Sequence, residues 1–514
     1  MKADAAARFS QGTAAFDAGD YGAAERIFQG IVEQDPLAHN AWLALAVVAL
    51  HTAAPDLAVE RARRAVELDR KNAAYLNKLG IAYGEQGDLR AAEQAFRRAL
   101  KIKPAYAEAH HNLAKALHKK GEPAAALKEY ERAHALEPQS IPLRSALCGM
   151  YRLQGEPERA LALLRNANDA ELPDALVKHF AECLADVDGP EAAVGWLRGL
   201  LARRPDHRDA HHMLALLLLA LGEWRAGWEQ YAWREQLARP SAVLPARLDG
   251  KRLLLRAEQG LGDVLFFLRF AAGLRERGAT LALECPVKLA PILANQIAID
   301  DLAAPDLQIF IGDLPGLLQT GDAPPALVLR PEDSVLARAR EKLAAFGPPP
   351  YLGLTWRAGT DVLHGREVGV NLALLFKEIA PALLGKAIRG WPGTLVSVQR
   401  GPTAVELDAI RGAAGAPVHD LSAANEDLRE MLALLALLDD YVAVSNTNIH
   451  LRAGLGRTAR VLVPYPPEWR WMRRGASPWF PGFPVYRQPL SRDWSAPLRQ
   501  LRQDLEESRR RLPA

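Results

Sequence analysis

A repeat of 34 residues in the first half of the chain constrains the fold more than any other feature. Small and large apolar residues recur at this spacing, as in the pairs Gly80 and Ala114 or Phe96 and Tyr130. Small residues suit positions where two helices cross closely, and prolines such as Pro104 end each unit. A single two-helix unit cannot bury its own apolar face, so the pattern predicts a stack of units, an α solenoid with a concave surface.

The repeat is similar to the tetratricopeptide repeat (TPR). One copy carries the expected residues, with leucine in the usual tryptophan position: Leu76, Leu79, Gly80, Tyr83, Ala92, Phe96, Ala99 and Pro104. About seven copies are predicted over residues 1–240. The resemblance implies a surface for a protein or peptide partner, with a spacer or a dimerisation surface as alternatives. An asparagine ladder for extended peptides is not evident, since only Asn77 and Asn112 stand near such positions.

Composition excludes several classes of function. The 514 residues include 64 basic and 61 acidic side chains, a balance that does not favour nucleic acid as a partner. The three cysteines lie too far apart for a metal or redox motif. The N-terminus lacks the apolar segment of a signal peptide, and the longest apolar runs fall short of the ~20 residues that a membrane span needs. A cytoplasmic protein with no membrane span is expected.

Beyond Pro245 the repeat stops and short apolar runs alternate with helical patterns. Such alternation predicts an α/β region with parallel sheets. The stretch FGPPPY, residues 346–351, separates two lobes at 248–346 and 351–490, and a C-terminal helix is predicted at 491–514. Strands are predicted at 252–255, 280–284, 308–311, 326–329, 351–356, 394–399, 418–421, 441–445 and 460–464.

The second half resembles the GT-B glycosyltransferases, in particular heptosyltransferase-like enzymes and the glycosyltransferase domains fused to TPR arrays in bacteria. The resemblance rests on these segments: Gly262–Leu265 after the first strand, Thr355–Trp356, Val396–Arg400, Val444–Gly456 and Pro464–Phe483. It implies two Rossmann-like lobes with a nucleotide-sugar donor bound between them.

The turn "QGLGD" after the first predicted strand is the first candidate site. Gly260 and Gly262 fit a dinucleotide fingerprint, but Leu265 stands where the third glycine belongs, so the residues favour no nicotinamide cofactor. The resemblance implies that Asp263 is the catalytic base, with Glu258 in reserve. Gln259 is a candidate for a hydrogen bond to sugar or acceptor. The alternative is that Asp263 only caps a helix.

The second candidate site is the sequence SNTNIH. Ser445, Asn446, Thr447, Asn448 and His450 stand where the related enzymes read D-T-G-x-x-H, so the histidine is kept and the other three positions differ. The resemblance implies that the donor diphosphate binds at the N-terminus of the following helix. Alternatively, His450 is a packed helix residue and the asparagines are turn formers.

Cations and aromatic residues complete the prediction. Arg357, Arg366 and Arg400 follow predicted strands and are candidates for balancing a diphosphate, or else are surface charges. Trp469, Trp471 and Trp479 either stack on a base or sugar or lock a loop to the core. The only D-x-D spelling, Asp186–Asp188, falls within the repeats, so neither a metal nor a cofactor is predicted.

These features together predict an inverting, metal-independent glycosyltransferase. It would move a sugar from a nucleotide-sugar to a protein or peptide held with help from the TPR array. Two alternatives stay open: a TPR interaction scaffold with a catalytically inactive glycosyltransferase-like domain, and a sugar transferase directed at glycans.

Overall fold

The computed structural model describes residues 2–165, 172–234, 244–294, 297–299, 304–358 and 377–511. These residues form two compact units, the first ending at residue 165 and the second beginning at residue 172. No described helix is long and apolar enough to cross a membrane.

The first unit consists of five consecutive helix pairs. Its helices are α1 (Lys2–Asp17), α2 (Tyr21–Gln34), α3 (His39–His51), α4 (Pro55–Leu68), α5 (Ala73–Gln86), α6 (Leu89–Ile102), α7 (Ala107–Lys119), α8 (Pro123–Leu136), α9 (Ile141–Leu153) and α10 (Pro157–Arg165). The small residues of the repeat lie at the helix crossings. A Cβ atom on Gly80 would lie 2.5 Å from Cε1 of Phe96, so only glycine lets α5 approach α6 this closely.

Two further helix pairs begin the second unit. They are α11 (Asp174–Val187), α12 (Pro190–Arg203), α13 (Arg208–Leu221) and α14 (Trp224–Tyr231). Trp228 on α14 packs edge-on against Phe267 and Trp469 of the α/β region, with ring centroids 6.1 and 5.3 Å apart. The predicted domain boundary at residue 240 therefore differs from the boundary between compact units. The last helix pair, α13–α14, shares a hydrophobic core with the α/β region.

The first sheet is parallel and has the strand order β3-β2-β1-β4. Its strands are β1 (Arg252–Arg256), β2 (Thr280–Glu284), β3 (Ala298–Ile299) and β4 (Leu307–Phe310). The helices that follow these strands are α15 (Leu261–Phe267), α16 (Ala271–Glu276), α17 (Ala290–Leu293), α18 (Leu314–Leu317) and α19 (Asp333–Ala344). Three successive residues of the inner strand β2, Leu281, Ala282 and Leu283, are buried, as expected for a sheet covered on both faces.

The second sheet is also parallel, with the strand order β10-β9-β8-β5-β6-β7. Its strands are β5 (Tyr351–Thr355), β6 (Thr394–Ser397), β7 (Val418–Asp420), β8 (Asp440–Val444), β9 (Arg460–Val463) and β10 (Val485–Arg487). The helices are α20 (Pro381–Ile388), α21 (Ala404–Ala414), α22 (Leu428–Leu437), α23 (Thr447–Gly454) and α24 (Ser495–Arg511). The prediction of an α/β region with parallel sheets is confirmed.

Three strand assignments differ from the prediction, and one of them is the two-residue strand β3, which was not predicted. Residues 326–329 form no strand; instead the backbone N–H of Leu329 donates to the carbonyl oxygen of Gly454, at the end of α23. Strand β10 was not predicted, because its three residues follow a proline- and glycine-rich stretch that reads as loop. Within this apolar run Leu329 is buried beside α23, 3% exposed, whereas Val328 is 63% exposed.

Candidate functional site

A pocket of about 240 Å³ opens at the carboxyl ends of strands from both sheets. Such crevices are where open parallel sheets bind ligands. Ten of the predicted site residues line it: Gly260, Gly262, Asp263, Arg357, Arg400, Ser445, Asn446, Thr447, Asn448 and His450. Arg366 lies outside the described residues.

The N-terminal turns of α15 and α23 approach each other at one wall of the pocket. A Cβ atom on Gly262 would lie 3.0 Å from Cδ2 of His450 and 3.5 Å from the Cα atom of Thr447. A side chain at position 262 would therefore crowd the imidazole ring of His450. The left-handed residue of this turn is Gln259, with φ of 63°.

Asp263 is the acidic residue of the α15 turn. Its Oδ2 atom accepts a hydrogen bond from the backbone N–H of Gly260 at 3.2 Å, so it does cap its own helix. Its Oδ1 atom accepts a hydrogen bond from Arg470 at 2.5 Å, and 29% of the Asp263 side chain is exposed to solvent. The aspartate is thus accessible from the pocket, and each of its oxygens accepts a hydrogen bond.

Arg470 begins a chain of alternating charges along the pocket wall. Its guanidinium lies between the rings of Phe266 and Trp469, with Cζ 4.5 and 4.4 Å from the two centroids. It also pairs with Glu468. Glu468 in turn binds Nζ of Lys377 at 2.6 Å. Buried cations held both by aromatic faces and by carboxylates have little freedom to move.

Glu468 is ionised in this arrangement. Burial raises the pKa of its carboxyl group, but Lys377 and Arg470 outweigh burial and hold the pKa well below its ordinary value. The hydroxyl of Ser445, at the end of β8, donates to the same carboxylate at 3.1 Å. Ser445, the first residue of the SNTNIH sequence, is therefore hydrogen-bonded to the chain of alternating charges.

His450 is a neutral imidazole. Burial, together with the positive charges of Arg470 and Arg269, lowers its pKa well below the ordinary histidine value. Its buried Nδ1 atom has no hydrogen-bond partner among the described residues. A neutral imidazole beside two helix N-termini can donate or accept one hydrogen bond to a ligand.

The N-terminus of α23 also lines the pocket. Asn446 is the N-cap, and its side-chain oxygen accepts a hydrogen bond from the backbone N–H of Ile449 at 3.3 Å. Thr447 is the first helical residue, and Asn448 is 6% exposed. Unpaired backbone N–H groups and the helix dipole make this end favourable for an anion.

Arg357 lines the pocket but is bound to Glu406. Its Nε atom donates to Glu406 at 2.8 Å, and the Trp356 indole N–H donates to the same oxygen at 2.9 Å. Burial raises the pKa of Glu406, but the bonds from Arg357 and from the Thr403 backbone prevail and lower it to about 2. Arg400, in contrast, is exposed at the rim of the pocket.

Glu258 and Gln259 are not among the residues that line the pocket. The Glu258 carboxylate pairs with Arg234, which also binds Asp313 at 2.5 Å. The side chains of Arg234, Glu258 and Asp313 are 3%, 4% and 3% exposed. The amide of Gln259 donates to the hydroxyl of Tyr231 at 3.1 Å. Both predicted residues thus face the helix pair α13–α14, and the structure gives Glu258 a place in a buried ion cluster rather than in the pocket.

Trp469, Trp471 and Trp479 are 6%, 1% and 1% exposed. This burial favours the interpretation that they lock the 469–483 segment to the core. The described residues contain no group of three or more histidine, cysteine or acidic side chains placed to hold a metal ion.

Sequence reasoning missed Lys377, Glu468 and Arg470 as site residues. Glu468 and Lys377 are 91 positions apart, and Arg470 is 207 positions from Asp263. No local motif signals such pairs. The available signal was the high density of charged residues in "PPEWRWMRRG", where charged residues lie between and beside the tryptophans.

The comparisons with known proteins concern the repeats. Models for the tetratricopeptide repeat match residues 9–73 and 107–140, and a model for the TPR repeat matches residues 85–121. The first part of the chain carries tetratricopeptide repeats. With the fourteen helices α1–α14 among the described residues, this confirms the predicted α-solenoid array.

A curated relative is similar to a longer stretch. Protein FlbA of Caulobacter vibrioides is 28% identical over 312 residues, which is 52% of this chain and 50% of FlbA. The match thus spans about half the length of that relative.

Solved structures are similar over smaller parts. MamA is 25% identical with a TM-score of 0.28, covering 30% of this chain and 90% of MamA. PilF of Pseudomonas aeruginosa is 21% identical with a TM-score of 0.34, covering 39% of this chain and 92% of PilF.

Proposed function

We propose that the protein is an inverting, metal-independent glycosyltransferase of the GT-B type that transfers a sugar from a nucleotide-sugar to a protein or peptide. The observation that carries the proposal is the pocket at the carboxyl ends of two parallel sheets, lined by the accessible Asp263 and by the N-terminus of α23. Inverting transfer needs a base near the acceptor and positive potential near the leaving diphosphate.

The distribution of charge in the pocket supports these two roles. Lys377, Arg400 and Arg470 bring three cations to the pocket, and the α23 N-terminus adds backbone N–H groups. Such groups stabilise a leaving phosphate without a metal ion. Asp263 would take the acceptor proton.

The tetratricopeptide repeats support a protein or peptide acceptor. Repeat arrays of this kind present extended surfaces to proteins. In the first unit, the amide of Asn112 donates to Asn77 at 3.1 Å, so these two asparagines bind each other across neighbouring repeats. The acceptor would therefore be held by other side chains of the array.

One observation favours a second candidate, a TPR scaffold whose glycosyltransferase-like domain is inactive. Asp263 already accepts hydrogen bonds from Arg470 and from the Gly260 backbone. A general base must exchange such a bond for one to the acceptor. A scaffold would keep the same contacts for stability alone.

The first experiment compares Asp263→Asn with the wild type. Sugar transfer and donor hydrolysis should fall about 10²-fold or more, because removal of a general base typically costs 10²–10⁴-fold. Asp333→Asn is the matched control, since Asp333 also lies exposed in the first turn of a helix but outside the pocket. An Asp263→Asn variant as active as the wild type would exclude Asp263 as the base.

The second experiment separates the enzyme from the scaffold. Thermal unfolding is measured with UDP-, GDP-, ADP- and CMP-linked sugars. The enzyme should be stabilised by one of them, by about 2.7 kcal/mol at a concentration of 100 times Kd. If none raises the melting temperature, the scaffold is favoured and the glycosyltransferase proposal is rejected.

A further inference from the structure

The segment that brings Glu468 and Arg470 into the pocket is held by helices of the repeat array. Residues Trp469–Trp471 form a single 3-10 turn, and this turn packs on α13. Trp228 of α14 contacts the ring of Trp469 at 5.3 Å. The pocket wall at this point therefore depends on elements that the repeat pattern assigns to the solenoid.

Asp186 on α11 binds both ends of this segment. The hydroxyl of Tyr465 donates to Oδ1 of Asp186 at 2.5 Å. Arg473 pairs with the same oxygen at 3.7 Å and donates to the carbonyl oxygen of Ala185 at 3.2 Å. Only 2% of the Asp186 side chain is exposed, so these contacts are shielded from water.

The position of Asp186 on its helix argues for a tertiary role. It lies one residue before the end of α11, where the helix dipole disfavours negative charge. A buried carboxylate at this end is stabilised by its partners, Tyr465 and Arg473, and not by its own helix.

We infer that Asp186 is a positioning residue, which fixes Tyr465 and Arg473 and thereby holds Glu468 and Arg470 in place against Asp263. Tyr465 precedes Glu468 by three residues and Arg473 follows Arg470 by three, so the two anchors bracket the charged pair. The identity of the ligand in the pocket rests on the proposed function, but the anchoring of Tyr465 and Arg473 by Asp186 does not.

The first test is hydrogen–deuterium exchange of the full-length protein. Asp186→Ala and Tyr465→Phe should each speed exchange of the amides of Trp471 and Met472, which are bonded to carbonyl oxygens within the segment. Loss of a charge-assisted hydrogen bond predicts roughly a tenfold increase or more. Peptides from α1–α10 and from β8 should exchange at the wild-type rate.

Two further variants sharpen this test. Asp186→Asn keeps an oxygen acceptor for Tyr465 but loses the charge facing Arg473, so its effect should be intermediate. Asp188→Ala is the matched control, because it removes an exposed carboxylate of the same D-x-D sequence and should leave exchange of the segment unchanged. Adding Tyr465→Phe to Asp186→Ala should have little further effect, since the hydrogen bond between the two residues is already lost in Asp186→Ala.

The second test uses inorganic pyrophosphate as a probe of the pocket. Asp186→Ala and Tyr465→Phe should weaken its binding about tenfold in calorimetric titration, while Asp188→Ala binds as the wild type does. If the wild type binds no pyrophosphate, the proposed function is weakened while the exchange result still decides the role of Asp186. Unchanged exchange of residues 464–473 in both variants, or a uniform increase across the second unit, would overturn the inference.

Discussion

The helix pairs α1–α10 and α11–α14 share one repeat pattern but differ in what they pack against. In the first unit, helices pack on helices of the same and of neighbouring repeats, as Gly80 of α5 does on Phe96 of α6 within one repeat. In the second unit, α13 and α14 also cover the α/β region, through Trp228 and the Arg234 cluster. The repeat therefore specifies helix pairs without specifying their neighbours, because its small and apolar residues fit any complementary apolar surface.

The largest effect is expected at the Arg234 cluster. Arg234→Met leaves the buried carboxylates of Glu258 and Asp313 without their shared cation, which should cost about 3–5 kcal/mol of unfolding free energy. Urea unfolding followed by tryptophan fluorescence measures this loss in the second unit, since ten of the eleven tryptophans follow residue 172.

Arg198→Met is the matched control for this prediction. Arg198 pairs with Glu223 on the same group of helices, but the two side chains are 57% and 51% exposed. Its loss should change stability by less than about 1 kcal/mol. Equal losses in the two variants would contradict the view that α14 is part of the core of the second unit.

A smaller effect, confined to the first unit, is expected at a helix crossing. Gly80→Ala places a methyl group against Phe96 and should cost about 1–3 kcal/mol. Gly84→Ala on the same helix has nothing within 4 Å of its Cβ position and should stabilise the unit by about 0.4–1 kcal/mol.

Hydrogen exchange of α5 and α6 peptides measures both glycine variants. Exchange within the α/β region should stay unchanged in each of them. Two results would contradict independent unfolding of the two units. One is slower unfolding detected by tryptophan fluorescence, and the other is changed hydrogen exchange beyond residue 172.

The smallest expected effect is on the stability of the second unit at acidic pH. The pKa of Glu406 is lowered from 4.5 to about 2 in the folded protein, so the unfolded chain binds a proton first as pH falls. The stabilisation is present above pH 4.5 and is lost progressively between about 4.5 and 2. Glu406→Gln should flatten the pH dependence of second-unit stability in this window, measured by urea unfolding at each pH. An unchanged slope would contradict the lowered pKa.

The candidate site was partly predictable. The turns at Gly260–Asp263 and Ser445–His450 follow buried strands, and strand ends of parallel sheets gather polar residues. The pairing of Glu258 with Arg234 was not predicted, because the two residues lie 24 positions apart. Lys377, Glu468 and Arg470 were missed because their partners lie far away in sequence.

The sequence by itself determined the helix pairs, the parallel sheets and the two polar turns, because periodicity and turn residues act over short stretches of chain. Only the tertiary structure decided that α13 and α14 join the core of the second unit and that Asp186 reaches Tyr465. It also decided that Arg470 binds Asp263. These contacts join residues 207 and 279 positions apart, and at such separations packing and charge select partners that no local pattern records.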